Sequence, residues 1–258
     1  MIGVILAAGS GSRMFPSTKG FSKHFCPVYD KPLFYYPLSL LLLLKIKKIV
    51  IIVNREDLAI FKKKIQSLIK IGLDIKLVVQ NNSRGIPDAI ISAKKYISNK
   101  KCCVVLGDNI FYGQNFKNIL SDQSNLLGAS IFTYKTIHSK DYAVAKIRNK
   151  KVVKIIEKPR DNKNNNVVTG FYFFDQSLIK FCEKIKPSKR NELEICDVLN
   201  LYIKEKSLHN FLLGRGFTWF DAGTPKRLLR ASSFIEYNES FTGLKIACLE
   251  EIILNNKW

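Results

Sequence analysis

Gly9-Ser10-Gly11-Ser12 follows an apolar run that ends at Ala7-Ala8, and Arg13 and Lys23 come soon after. Glycines let the backbone approach an anion closely and turn several N–H groups toward it, while the arginine and lysine supply charge to a polyphosphate. A plain tight turn is the competing reading of the Gly-Ser segment alone. Two phosphate loops are excluded directly. A dinucleotide fingerprint needs glycine where Met14 stands, and a Walker A loop needs Gly-Lys-Ser/Thr directly after the glycines. Asp108 ends the run VVLGD, and Asp221 ends a second run in GFTWFDAGTP. Two carboxylates meeting over one Mg²⁺ would neutralise a triphosphate and leave its α-phosphorus open to in-line attack. A structural turn is the alternative at either position. Lys158 in Glu157-Lys158-Pro159 follows VVKII and would present a cation to a phosphate at a sheet edge; taken alone, the tripeptide also reads as a surface turn.

The elements that must position these residues alternate. Val4 to Ala7 reads as strand, 38–45 as helix, 49–53 as strand, 57–71 as helix, 75–79 as strand, 86–96 as helix and 103–106 as a buried strand. Continuous apolar strands separated by helices predict a mostly parallel sheet covered on both faces. Ligands of such sheets sit beyond the carboxyl ends of the strands, which is where the Gly-Ser turn and Asp108 fall. After Gly128, strands at 129–134, 144–147, 152–156 and 169–174 come in quick succession, then helices near 177–184 and 192–205. The polar stretch 160–166 reads as a surface loop within one domain, and no internal repeat is present.

The chain has 258 residues, 47% hydrophobic, enough for a full core. Its longest apolar stretch, Leu33 to Leu44, is broken by Pro37 and Ser39 and is too short for a bilayer span of roughly 20 residues. No secretory signal is evident at the N-terminus, so the cytoplasm is the expected location. The six cysteines lack C-x-x-C or His spacing and read as reduced, mostly buried thiols. Net charge is +21, but only nine of the 42 basic residues are arginine, and the lysines are scattered with Asn and Ile. A compositional drift toward Lys, Ile and Asn explains this better than a nucleic-acid surface, whereas a phosphorylated small substrate stays compatible with it.

The order of the motifs resembles that of the glucose-1-phosphate thymidylyltransferases, in the sugar nucleotidyltransferase superfamily. The residues concerned are LAAGSGSRMFPST, Lys23 with PVYDKPLFYYPLS, VVQNNSRGIPDA, LGDNIFYG, EKP, VTGFYFFD, ELEICDV and GRGFTWFDAGT, covering nearly the whole chain. The resemblance implies a three-layer α/β/α fold with a Rossmann-like, mixed, mostly parallel sheet. It implies one nucleotidyltransferase domain, 1–258, with a nucleotide half at about 1–128 and a sugar-phosphate half at about 129–240, lacking the usual C-terminal helices. Leu6, Ala8, Gly9, Gly11, Ser12, Arg13, Lys23, Gln80 and Gly85 would bind the nucleotide. Arg13, Lys23 and Asp108 would carry the chemistry, and Asp108 and Asp221 would hold Mg²⁺. Tyr142, Ala143, Glu157, Lys158 and Val168 would bind the sugar phosphate. The implied reaction joins dTTP and glucose 1-phosphate into dTDP-glucose and pyrophosphate, feeding a deoxysugar pathway of the dTDP-rhamnose type. The implied partners are these substrates and further copies of the chain in a dimer or tetramer, with neither nucleic acid nor membrane.

Departures fall inside the motifs. His24 and Asp88 stand where the family usually has Gln, Pro87 where a small residue is usual, Ala143 where glycine is expected and Ala222 where Thr is usual. Asp88 would repel phosphates if it faced them. Two alternatives follow: the same reaction with UTP, CTP or another hexose 1-phosphate, or a non-catalytic relative that binds a nucleotide sugar.

Overall fold

A computed structural model describes residues 1–125, 127–160 and 165–258. Most of the polar stretch 160–166 thus lies outside the described residues. In chain order come β1 (Ile2–Ala7), β2 (Pro27–Val28), β3 (Lys31–Pro32), α1 (Tyr35–Leu43), β4 (Lys48–Val53), α2 (Leu58–Lys70), β5 (Asp74–Val79), α3 (Ile86–Ser92), α4 (Lys94–Ile97) and β6 (Cys102–Leu106). Next are β7 (Asn109–Gly113), α5 (Phe116–Ser124), β8 (Ala129–Lys135), β9 (Val144–Arg148), β10 (Lys151–Ile156), β11 (Asn166–Phe174), α6 (Leu178–Lys184) and α7 (Ile195–Lys204). The last are β12 (Leu208–Leu213), β13 (Phe217–Asp221), α8 (Pro225–Thr242) and α9 (Leu249–Asn255). The expected α/β architecture is present, a mixed, mostly parallel sheet with helices on both sides. No described helix is long and apolar enough to cross a membrane.

The chain forms two compact units. The N-terminal unit comprises Ile2–Asn81, Val105–Tyr112 and Thr218–Trp258. In it β1 pairs with β4 from Gly3↔Ile49 to Ala7↔Val53, and β4 with β5 from Lys48↔Asp74 to Val53↔Val79, all parallel. The runs IGVILA and KIVIIV are buried almost throughout, as strands covered on both faces must be. Gly107 N donates to Leu6 O at 2.9 Å and Gln80 N to Val53 O at 3.0 Å, so the segments leaving β6 and β5 are tied to the carboxyl ends of β1 and β4. The short strands β7 and β13 pair with one another. Ile110 of β7 and Ala222, just past β13, share an apolar cluster with Val28, Leu33, Tyr36 and, from α8, Ala231 and Ile235.

The central unit comprises Asn82–Val104 and Gly113–Phe217, with Met1. Here β8 pairs antiparallel with β11 and parallel with β12, while β9 pairs antiparallel with β10 and β11. Phe132, Phe171 and Phe173 meet edge to face in its core, with ring centroids 5.2 to 6.1 Å apart.

Several boundaries differ from the sequence reading. Helix α1 starts at Tyr35 because Pro37 fits its first turn, where the missing N–H costs nothing. The helix expected over 86–96 is broken at Ala93 into α3 and α4. Helix α7 begins at Ile195, because Glu192 and Glu194 serve a turn around Arg190 instead. Helices α5, α8 and α9 and strands β7 and β12 were not anticipated.

Candidate active site

Residues beyond the strand ends of the N-terminal unit form a charged cluster. Leu6 is the penultimate residue of β1, Ala8 is buried, and Gly9 and Ser10 are exposed. Gly11 adopts φ +65°, open to a residue without Cβ, and Thr18 Oγ1 donates to its carbonyl at 3.0 Å. A single turn of 3₁₀ helix, Ser12–Met14, follows, anchored by the buried Met14 and leaving Arg13 exposed. Lys23 is buried and forms an ion pair with Asp108, whose second oxygen accepts from Asn109 Nδ2 at 2.9 Å. Asp221 ends β13 and pairs with Arg227 at 2.8 Å. Gly223 marks where these groups meet. A Cβ placed there would lie 2.9 Å from Asp221 Oδ1, 3.2 Å from Arg13 Nη2 and 3.5 Å from Asp108 Oδ2. The structure therefore brings together four residues that are far apart in sequence: Arg13, Lys23, Asp108 and Asp221.

Electrostatics distinguishes the two carboxylates. Burial pushes the Asp108 carboxyl up, but the charge and hydrogen bond of Lys23, with the hydrogen bond of Asn109 adding to them, hold it below the usual range. Asp221 is raised, by burial first and then by the charge of Asp108, against the opposing pull of Arg227, Arg13 and Lys23. Helix α8 explains Arg227. Its N-cap is Thr224, whose Oγ1 accepts from Arg227 N at 3.4 Å, and Pro225 takes the first turn. An arginine in the first turn opposes the helix dipole, and the pairing with Asp221 offsets that cost.

His24 is buried with its ring against Gly107, where a Cβ would lie 2.7 Å from Cδ2 and 2.8 Å from Nε2. Its Nδ1 hydrogen-bonds Ser22 Oγ at 3.0 Å. Burial, and then the charge of Lys23, lower its pKa to about 3, so the ring is neutral at physiological pH. Gln80 is buried just beyond β5 in this unit.

Gly85 belongs to the central unit, and packing accounts for it. It has φ +98°, and a Cβ there would lie 2.1 Å from Leu193 O, whose own N–H donates to Arg84 O at 2.8 Å. Asp88, in the first turn of α3, pairs with Arg84 at 3.0 Å, so the repulsive charge expected from this departure is neutralised locally.

The five sugar-phosphate candidates also lie in the central unit and are laced together by backbone. Lys158 N donates to Tyr142 O at 3.1 Å, and Val168 N to Ala143 O at 2.8 Å. Lys158 is exposed at φ +40°, a conformation that costs on the order of 1–3 kcal/mol for a residue with a Cβ. Glu157 is clamped on both oxygens, by Arg190 Nη2 at 3.1 Å and by Cys196 Sγ at 3.2 Å. The burial of Cys196, then Glu157 beside it, holds its thiol far above the ordinary range, so it acts as a donor and not as a nucleophile.

Sequence reasoning missed Asn109, Trp219, Arg227, Arg190 and Cys196. All lie in or beside the motifs above, but nothing in their spacing announced their partners.

Comparisons with known proteins show the family. The nucleotidyl transferase family model matches residues 2–238. The glucose-1-phosphate thymidylyltransferase of Neisseria meningitidis is 43% identical over 260 residues, covering all of this chain and 90% of its own length. The enzyme of that name from Mycobacterium tuberculosis is 35% identical, also covering all of this chain and 90% of its own. Among solved structures, a candidate glucose-1-phosphate thymidylyltransferase from Bacillus anthracis, in complex with sucrose, superposes with a TM-score of 0.84 at 33% identity, over 91% of this chain and 95% of that one. A UDP-glucose pyrophosphorylase complexed with UDP-glucose shares the fold, with a TM-score of 0.78 at 22% identity, over 92% of this chain and 98% of its own. The chain belongs to the nucleotidyl transferase family, alongside the glucose-1-phosphate thymidylyltransferases.

Proposed function

We propose that the chain transfers a thymidylyl group from dTTP to glucose 1-phosphate, releasing pyrophosphate. The observation that carries this reading is the convergence of Arg13, Asp108 and Asp221 around Gly223, with Lys23 paired to Asp108, beyond the carboxyl ends of parallel strands. The phosphate of glucose 1-phosphate is already a nucleophile near neutral pH, so no general base is needed. Catalysis then rests on alignment and on cations held ready for the charge that develops at the α-phosphate. Lys23 supplies that charge from a fixed, desolvated position, and Arg13 meets the outer phosphates. His24 is neutral, buried and occupied by Ser22, so it takes no part in proton transfer.

In the central unit, Lys158 would hold the sugar phosphate. Glu157, with its oxygens fixed by Arg190 and Cys196, would accept from sugar hydroxyls alongside Tyr142, Ala143 and Val168. Gln80 would meet the base, and the expected base contact of Gly85 would be made by its backbone.

Among the described residues no group of three or more His, Cys, Asp or Glu forms a metal cage. Two carboxylates nevertheless suit Mg²⁺, which is usually held by one or two of them with substrate phosphates and water. The mutual repulsion of Asp108 and Asp221 is a load that a divalent cation would relieve. These two residues would hold it, and when bound it would neutralise charge on the phosphates. The expectations of one functional domain, a homo-oligomer and a cytoplasmic location belong to the same reading and rest on the sequence and the resemblance alone.

The test is pyrophosphate release from dTTP, UTP, CTP, ATP and GTP in turn, each with Mg²⁺ and glucose 1-phosphate. Release strongest with dTTP is expected. Silence with every nucleotide from folded protein would refute the reading.

A further inference from the structure

Asp108 has one oxygen on Lys23, and its other oxygen is reached by a short chain of hydrogen bonds from a second strand. Trp219 Nε1 donates to Asn109 Oδ1 at 2.7 Å, and Asn109 Nδ2 donates to Asp108 Oδ1 at 2.9 Å. The order of this chain is forced by chemistry. An indole N–H can only donate, so the amide oxygen of Asn109 must face it and the NH₂ must face the carboxylate. A flipped amide would set N–H against N–H and oxygen against carboxylate. Asn109 is buried, which removes bulk water as a substitute partner. The backbone supports the same arrangement, because Ala222 N, just past β13, donates to Asp108 O at 2.8 Å. With Oδ1 occupied in this way, Oδ2 is left to Lys23 and to the corner at Gly223 that it shares with Arg13 and Asp221.

We infer that Trp219 and Asn109 are positioning residues for the reaction: Trp219 fixes the Asn109 amide, which fixes the Asp108 carboxylate toward Lys23 and Asp221. This rests on the function proposed above, in which Asp108 is a reacting-site group. Neither Trp219 nor Asn109 needs to touch substrate for the inference to hold.

Trp219→Phe keeps the ring and removes the donor. It is expected to lower kcat about tenfold, to leave KM for dTTP and glucose 1-phosphate unchanged, and to weaken binding of Mn²⁺ alone, followed by electron paramagnetic resonance, about tenfold. In an Asn109→Leu background the same change is expected to cost nothing further, because the relay is already cut. If Asn109→Leu does not fold, Asn109→Ser serves as the background. Wild-type kcat and Mn²⁺ affinity in Trp219→Phe would overturn the inference, as would an equal loss in both backgrounds. The two readings fail separately. A wild-type protein without turnover refutes the proposed function, while the Mn²⁺ comparison still decides for or against the relay.

Discussion

The lysines of the two units are held in opposite ways. Lys23 is buried and ion-paired, and the Asp108 carboxylate it meets is itself fixed by Asn109 and Trp219. Lys158 lies just past β10, exposed and at φ +40°, and makes no ion pair among the described residues. Desolvation makes a fixed charge act more strongly on charge developing nearby, whereas an exposed cation contributes mainly to binding. Under the proposed function, the N-terminal cluster would carry the chemistry and the central one the capture of the sugar phosphate.

That contrast breaks first at Lys23. Lys23→Ala is expected to cut kcat about a thousandfold, the upper range for losing one fixed group that stabilises the transition state. It also leaves Asp108 buried without its cation, so thermal unfolding should show a loss of about 3 kcal/mol. Steady-state kinetics and unfolding on the same sample measure both.

A second change separates packing from ligand contact in the central unit. Gly85→Ala puts a methyl against Leu193 O at positive φ, and a stability loss of about 3 kcal/mol is expected in urea unfolding. A higher KM for dTTP with stability unchanged would instead make Gly85 a site designed around the base.

The third concerns His24. Its folded pKa, about 3, lies below the unfolded value of about 6.5, so the unfolded chain binds the extra proton between them. The stability this group contributes is complete above pH 6.5 and is lost as pH falls toward 3. Lowering pH from 7 to 5 should cost wild type about 2 kcal/mol through this residue, and His24→Gln should lack that component when unfolding is followed across pH. An identical pH dependence in both would mean that the ring is not held neutral.

Much of this was legible in the sequence, for reasons that vary by residue. Strands β1, β4 and β6 announced themselves as continuous apolar runs, and Asp108 as a carboxylate just beyond one of them. Helix α8 did not. Leu229, Tyr237 and Phe241 are exposed on it, so its apolar residues do not follow one face. Partnerships were hidden by distance: Lys23 and Asp108 are 85 residues apart, and Asn109 and Trp219 are 110 apart. Asp88 looked like a liability because a sequence cannot show that Arg84, one helical turn earlier, turns toward it.

The most direct test of the division between chemistry and capture sets Lys158→Ala beside Lys23→Ala in the pyrophosphate-release assay, with each substrate varied in turn. Lys158→Ala should raise KM for glucose 1-phosphate about tenfold, leave KM for dTTP alone and regain wild-type kcat at saturation, while Lys23→Ala stays slow at any concentration. Full turnover by Lys23→Ala at saturation, or a loss of kcat in Lys158→Ala that saturation does not restore, would contradict the account.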